Sequence, residues 1–238
     1  MANRTLALVR KMFNFAIERD WVEHNPCHML KRAAPERQRD RVLTEDEIRA
    51  VWTAAGEEQP IIRALFRLRL LTAQRGGELH GASWAEIDLK TGWWTIPAER
   101  SKNRLAHRVP LSPPAVKVLK ELQKDAEESP WVFPSTRKAG PHINHAQKAI
   151  ERIVRRSGVE FRGHDLRRTA ASLMVGAGVP RLVVSKILNH VETGVTAVYD
   201  RHSYDLEKRA ALEFWARRLE AIVANRRRSK VLPFSVSR

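Results

Sequence analysis

The sequence predicts an α+β fold, mainly helical, with one small three-stranded antiparallel sheet. Two observations predict it. Apolar residues recur three and four positions apart through most of the chain, the period of helices that bury one stripe. Between residues 84 and 111 that period gives way to tryptophans and β-branched residues, punctuated by the turn signals Lys90-Thr91-Gly92 and Lys102-Asn103-Arg104. With 238 residues, 43% of them hydrophobic, the chain is long enough to build a sizeable core.

The elements follow in order. Residues 4–20 form an amphipathic helix with Leu6, Val9, Phe13 and Ile17 on its stripe, and Asp20 to Pro26 ends it in a turn. One helix cannot bury its stripe alone, so residues 1–30 are expected to be the last element of a domain whose earlier part is missing. Residues 31–41 are polar, basic and interrupted by Pro35, which predicts a linker. The charges of Arg39 and Arg41 suit a segment running along a phosphate backbone, and equally a solvated connector.

A second domain is expected over residues 42–223. Thr44-Glu45-Asp46-Glu47 is a capping box, so a helix runs from there to about Ala55. Another covers 59–72 and stops at Thr72-Ala73-Gln74-Arg75-Gly76-Gly77, after which Glu78 and Leu79 open a short helix. Trp84, Ile87 and Leu89 begin the sheet, residues 93–96 form its second strand and residues 107–111 its third. Helices are then predicted over 113–127, with proline at the start, and over 142–156, ended by Gly158. Two more cover 165–176 and 180–188, a short one 194–201 and a longer one 205–223. Residues 224–238 are a basic tail without periodicity, expected either to move freely or to dock on a partner.

Charge narrows the class of partner. Lys and Arg number 43 against 27 Asp and Glu, a formal net charge of +16. Such an excess points to a polyanion, with nucleic acid ahead of an acidic membrane surface. No apolar run approaches the ~20 residues of a membrane helix, and the N-terminal residues lack a signal-peptide pattern. A soluble, intracellular protein is therefore expected. The single Cys27 excludes an intrachain disulfide and a cysteine-rich zinc module. Asp165, Asp200 and Asp205 are scattered rather than paired, which argues against a two-metal nuclease.

The residues that could carry chemistry concentrate between His164 and Tyr199. His164 and Arg167 lie three apart at a helix start, on one face, where the helix dipole favours an anion. Arg162 and Arg168 add charge beside them, and His190 and Tyr199 follow. Arginines neutralise phosphate oxygens, histidines move protons, and a phenol can be a nucleophile. Upstream, Arg75 stands at a tight turn with Glu78 three residues on, and Lys102, flanked by Ser101 and Asn103 and two residues before Arg104, sits on a hairpin turn from which an ammonium can reach into a groove. Taken alone, Arg75, Lys102, Arg162, Arg168, His190 and Tyr199 read more readily as surface or structural residues, while the His164–Arg167 pair divides evenly between a structural and a phosphate-binding reading.

Taken together and in order, these residues resemble the tyrosine recombinases, the phage-type integrases. Arg75 in Arg-Gly-Gly-Glu-Leu matches that family's first catalytic arginine and its following acid. Lys102 falls where the family carries its hairpin lysine, and His164-Asp-Leu-Arg167 fits its His-x-x-Arg signature. His190 in Leu-Asn-His matches the third basic position, with Tyr199 at the expected spacing. Asn189 departs from the pattern, since many relatives have glycine there. The resemblance covers roughly residues 40–220 and is nearest to bacterial prophage integrases.

The resemblance implies site-specific recombination of double-stranded attachment-site DNA through a 3′-phosphotyrosyl intermediate. Tyr199 would be the nucleophile, Arg75 and Arg167 the phosphate clamps, His164 the base, Lys102 the acid and His190 a further phosphate or tyrosine contact. Glu78 would orient Arg75, and Arg39, Arg41, Arg104, Arg162 and Arg168 are candidate DNA contacts. No metal or cofactor is implied. A homotetramer at synapsis, accessory integration or excision proteins, and a cytoplasmic, nucleoid-associated location are implied. Residues 1–30 would be the last helix of a core DNA-binding domain, leaving the chain N-terminally truncated. Two other readings stay open: a truncated DNA-binding remnant without activity, and a type IB topoisomerase. Tyr204 is the competing nucleophile.

Overall fold

The computed structural model describes residues 2–32, 35, 39–126, 129–135, 140–191 and 202–226. These fall into two compact units, Met1–Arg39 and Asp40–Arg238.

In the first unit, helix α1 (Ala2–Ile17) buries none of its residues fully. Its predicted stripe is half-buried, while Leu8, Met12 and Phe15 are exposed. The following turn folds back on it: Arg10 Nη2 donates to the carbonyls of Cys27 (2.9 Å) and Leu30 (2.7 Å).

The second unit is α+β, as the sequence predicts. Its helices are α2 (Glu45–Gly56), α3 (Pro60–Thr72), α4 (Gly76–His80), α5 (Pro113–Lys124), α6 (Gln147–Ser157), α7 (Gly163–Gly176), α8 (Arg181–Ile187) and α9 (Asp205–Val223). Strands β1 (Ile87–Asp88), β2 (Trp93–Ile96) and β3 (His107–Pro110) form one antiparallel sheet in the order β1-β2-β3. Alternation sets its faces: Trp94 and Ile96 on β2 and Val109 on β3 are buried. Trp93, on the opposite face, lies under the guanidinium groups of Arg108 and Arg209.

Local chemistry explains several boundaries. Thr44 Oγ1 accepts from the Glu47 amide and Glu47 Oε2 accepts from the Thr44 amide, so the capping box starts α2. Pro60 and Pro113 open α3 and α5, where a missing N–H costs nothing. The long α9 carries Ala211, Leu212, Trp215, Leu219 and Ile222 into the core shared with α2, α3, α8 and β3. Trp215 is fully buried, and its Nε1 donates to the Leu70 carbonyl at 2.7 Å, so even its polar edge is satisfied.

The structure corrects four sequence expectations. Residues 142–146 are not helical. His142 instead pairs in a bridge with Pro134, the Ile143 amide donates to Phe133, and Trp131 packs on the His142 ring. Residues 84–86 form a 3₁₀ turn, so the first strand shrinks to Ile87–Asp88. Helix α1 ends at Ile17 rather than residue 20, with Asp20 at positive φ, and α5 ends at Lys124 rather than 127. The helix predicted over 194–201 and most of the basic tail lie outside the described residues.

Trp215→Ala should lower unfolding stability by about 3–5 kcal/mol in a denaturant titration. Thr44→Ala, which removes only a cap, should cost about 1 kcal/mol. Equal losses would show that α9 does not anchor the core.

Candidate active site

Two short turns of similar design position the arginines. Both α4 and α7 begin with Arg-x-x-acid. In each, the acid reaches back to the amide of the arginine that caps the helix: Glu78 Oε2 accepts from Arg75 N (3.0 Å) and Asp165 Oδ2 from Arg162 N (2.8 Å). Glu78, nearly fully buried, also accepts from Arg75 Nη1 at 2.8 Å. The carboxylate thus fixes both the backbone and the guanidinium of Arg75. Asp165 likewise accepts from Arg168 Nη1 at 2.8 Å.

Arg167 is held differently. It is 4% exposed, and among the described residues its guanidinium bonds carbonyls rather than a carboxylate. Its Nη1 donates to Ala73 O (2.7 Å) and its Nη2 to Leu188 O (2.5 Å). Those carbonyls cap the C-terminal ends of α3 and α8, the negative ends of the two helices. Desolvation, with Arg75 nearby, pushes the Arg167 pKa down to about 10, and Glu78 opposes this; the group stays charged at neutral pH.

His190 is placed by the end of α8. Its amide donates to Ser185 O and the Asn189 amide to Lys186 O, the paired bonds of a Schellman motif. That motif needs a left-handed residue just before His190, and Asn189 supplies it at φ +48°. Asparagine tolerates this region better than most residues.

Four of the predicted site residues therefore come together: Arg75, His164, Arg167 and His190 act on one another electrostatically. Partial burial, then Arg167, lowers the pKa of both histidines, which favours neutral imidazoles. Lys102 is exposed on the β2–β3 turn. That turn is tied to the cluster through Asn103, whose Nδ2 donates to Asn189 O at 3.2 Å. Tyr199 lies outside the described residues. Tyr204 caps the start of α9, with its ring against His202 and Lys186.

The candidate DNA contacts divide. Arg41 is paired with Glu47 at 2.5 Å and Arg168 with Asp165. Arg39, Arg104 and Arg162 are exposed. Among the described residues, no group of three or more His, Cys, Asp or Glu is placed to hold a metal ion.

Sequence reasoning missed three participants. Asn103 and Asn189 join segments 86 residues apart, which no local pattern signals. Arg69 is 93% buried in α3, and its guanidinium fills the space left by Gly76 and Gly163. A Cβ on Gly76 would lie 1.9 Å from Arg69 Nη2, and one on Gly163 2.2 Å from Nη1. The glycines beside Arg75 and His164 thus admit a third guanidinium, whose pKa burial pushes down to about 10.

The profile described as the Phage integrase family matches residues 41–205. The chain belongs to the phage integrase family. Among relatives of this integrase-family chain, prophage integrase IntA of Escherichia coli (strain K12) is 32% identical over 157 residues, 65% of this chain and 38% of IntA. Prophage integrase IntZ of the same strain is 32% identical over 224 residues, 91% of this chain and 54% of IntZ. The chain thus spans about half or less of the length of these curated relatives. A lambda integrase tetramer bound to a Holliday junction superposes with a TM-score of 0.62 at 23% identity, over 84% of this chain and 58% of that one. At that identity the likeness establishes the fold.

The buried imidazoles behind the site set a pH dependence. Desolvation, with Arg69 for His80 and Lys208 for His107, pushes each pKa from 6.5 to about 4. The unfolded chain binds these protons at higher pH than the folded one. Stability should therefore be full above pH ~6.5 and fall as pH drops towards 4. Glu47 and Glu58, held below the usual carboxylate range chiefly by hydrogen bonds, add their losses only below pH ~4.5. Denaturant titrations between pH 4.5 and 6.5 should show this slope, reduced in His107→Gln; a flat profile would contradict it.

Proposed function

We propose that this chain carries the catalytic unit of a site-specific recombinase that cuts and rejoins double-stranded attachment-site DNA through a 3′-phosphotyrosyl intermediate. One observation carries the reading: two fixed guanidinium groups, Arg75 and Arg167, share a cluster with two imidazoles whose pKa values are lowered. A phosphodiester undergoing attack gains charge on its non-bridging oxygens, and prepositioned cations stabilise that charge most effectively. The net charge of +16 suits a polyanionic substrate.

In this reaction the Tyr199 phenol oxygen bonds to the scissile phosphorus as the bond to the 5′-oxygen breaks. His164 accepts the phenol proton, a role suited to an imidazole that stays neutral at pH 7. Lys102 donates a proton to the departing 5′-oxygen. His190 hydrogen-bonds a phosphate oxygen or positions the tyrosine, and Glu78 keeps Arg75 in place. Rejoining runs these transfers in reverse.

Residues 1–30 are read as the last helix of a core DNA-binding domain, residues 31–41 as its linker, 42–223 as the catalytic domain and 224–238 as a basic tail. A tetramer on two duplexes is the assembly proposed for strand exchange; the lambda integrase tetramer on a Holliday junction supports it by analogy. Accessory integration or excision proteins are proposed as partners. Among the described residues, no helix is long and apolar enough to cross a membrane. A cytoplasmic, nucleoid-associated location is the reading that fits a DNA substrate.

The test is covalent capture on a pool of nicked suicide duplexes with a randomised core. The chain should form a protein–DNA adduct that Tyr199→Phe abolishes and Tyr204→Phe retains. No adduct, or loss only with Tyr204→Phe, would overturn the assignment. On the duplex so selected, the acid limb of the cleavage rate should lie below pH ~6.5, the ordinary imidazole value. An acid limb above it would remove His164 as the base.

A further inference from the structure

The side chain of Asn189 does more than tolerate a left-handed backbone. Its amide faces that of Asn103 in a reciprocal pair: Asn103 Nδ2 donates to Asn189 Oδ1 at 3.0 Å, and Asn189 Nδ2 donates to Asn103 Oδ1 at 3.3 Å. Asn189 Nδ2 also donates to Ser101 Oγ at 2.9 Å, and Ser101 Oγ donates to Asn103 Oδ1 at 2.7 Å. The Asn189 carbonyl accepts from Asn103 Nδ2 (3.2 Å) and from Arg75 Nη2 (3.4 Å). One residue, immediately before His190, thus grips both neighbours of Lys102 and touches Arg75.

The need for such a grip follows from the turn. Residues 102, 104, 105 and 106 are exposed, and Arg104 sits at φ +57°. Lysine has four flexible side-chain bonds, so an anchored backbone is the means of limiting where its ammonium reaches. Ser101 is buried and Asn103 half-buried, flanking the exposed Lys102 on both sides. The anchor partner could have been any element; it is the residue that also sets His190 and contacts Arg75. Glycine would serve the backbone of Asn189 at least as well, yet it would remove every one of the side-chain bonds.

We infer that Asn189 is a positioning residue for the leaving-group proton transfer: it clamps the Ser101–Asn103 turn so that Lys102 meets the departing 5′-oxygen. This rests on the proposed role of Lys102. In the step concerned, the Tyr199 oxygen–phosphorus bond forms and the phosphorus–O5′ bond breaks. The electron pair leaves on O5′, and the Lys102 ammonium supplies its proton. A 5′-sulfur leaves as a thiolate and needs no such proton, because a thiol is several pKa units more acidic than an alcohol.

The experiment measures single-turnover cleavage by the 238-residue chain on the selected nicked duplex, with either an ordinary scissile phosphate or a 5′-bridging phosphorothiolate. Asn189→Gly keeps the backbone geometry, and Asn103→Ala lies on the turn, so neither disturbs the core. Both should slow cleavage of the ordinary substrate about 10- to 100-fold, the cost of a misplaced catalytic group, and leave phosphorothiolate cleavage within about threefold of the parent chain. The double variant should be no slower than the worse single one, because both break the same clamp. Lys102→Ala serves as the reference. If it too is not restored by sulfur, the role of Lys102 fails. If sulfur restores Lys102→Ala but not Asn189→Gly, or if Asn189→Gly cleaves the ordinary substrate at the parent rate, the clamp is overturned.

Discussion

The site depends on the burial of Arg167 between the ends of two helices. Its guanidinium donates to the last carbonyls of α3 and α8, and those bonds fix three elements at one point: the start of α7, the end of α3 beside Arg75, and the end of α8 beside His190. A buried cation without a carboxylate partner is costly. Here helix C-termini, whose unpaired carbonyls carry partial negative charge, offset part of that cost. They do so without neutralising the group. Held by two carbonyls, Arg167 keeps its charge and further N–H donors.

Around this point each helix end does a second task. Ala73 caps α3 in a left-handed conformation, turning the chain towards Arg75. The Schellman end of α8 points His190 into the cluster and presents the Asn189 side chain to the β2–β3 turn. Strand β3 is tied to the same helix end, since His107 Nε2 meets the Ile187 carbonyl at 3.0 Å. Behind Glu78, Arg100 binds Glu86 through two 2.7 Å bonds and reaches the Glu78 carbonyl at 3.2 Å. The sheet and the helices thus meet through polar contacts to buried helix carbonyls, which fixes angle as well as distance.

Much of this was legible in the sequence because it is local. The capping box at Thr44, the prolines opening α3 and α5, the apolar stripe of α9 and the turn signals around β2 each act over a few residues. Arg75 with Glu78, and His164 with Arg167, are spaced so that one helical turn brings each pair together. What escaped was non-local. Nothing near Asn103 announces a partner 86 residues away, and nothing near Arg69 says that two glycines will make room for it. The segment 142–146 misled for the same reason: its helical pattern yields to backbone bonds with residues 133 and 134, a tertiary choice that overrides local preference.

The central claim is that Arg75, Arg167 and their neighbouring imidazoles form a seat for one pentavalent phosphorus. The most direct measurement is a crystal structure of the chain with orthovanadate and a gapped duplex whose ends flank the scissile position. The account predicts vanadium with its equatorial oxygens about 3 Å from Arg75, Arg167 and His190, Tyr199 at one apex and the 5′-oxygen at the other. Vanadium bound away from the two arginines, or with an apical oxygen from a residue other than Tyr199, would contradict it.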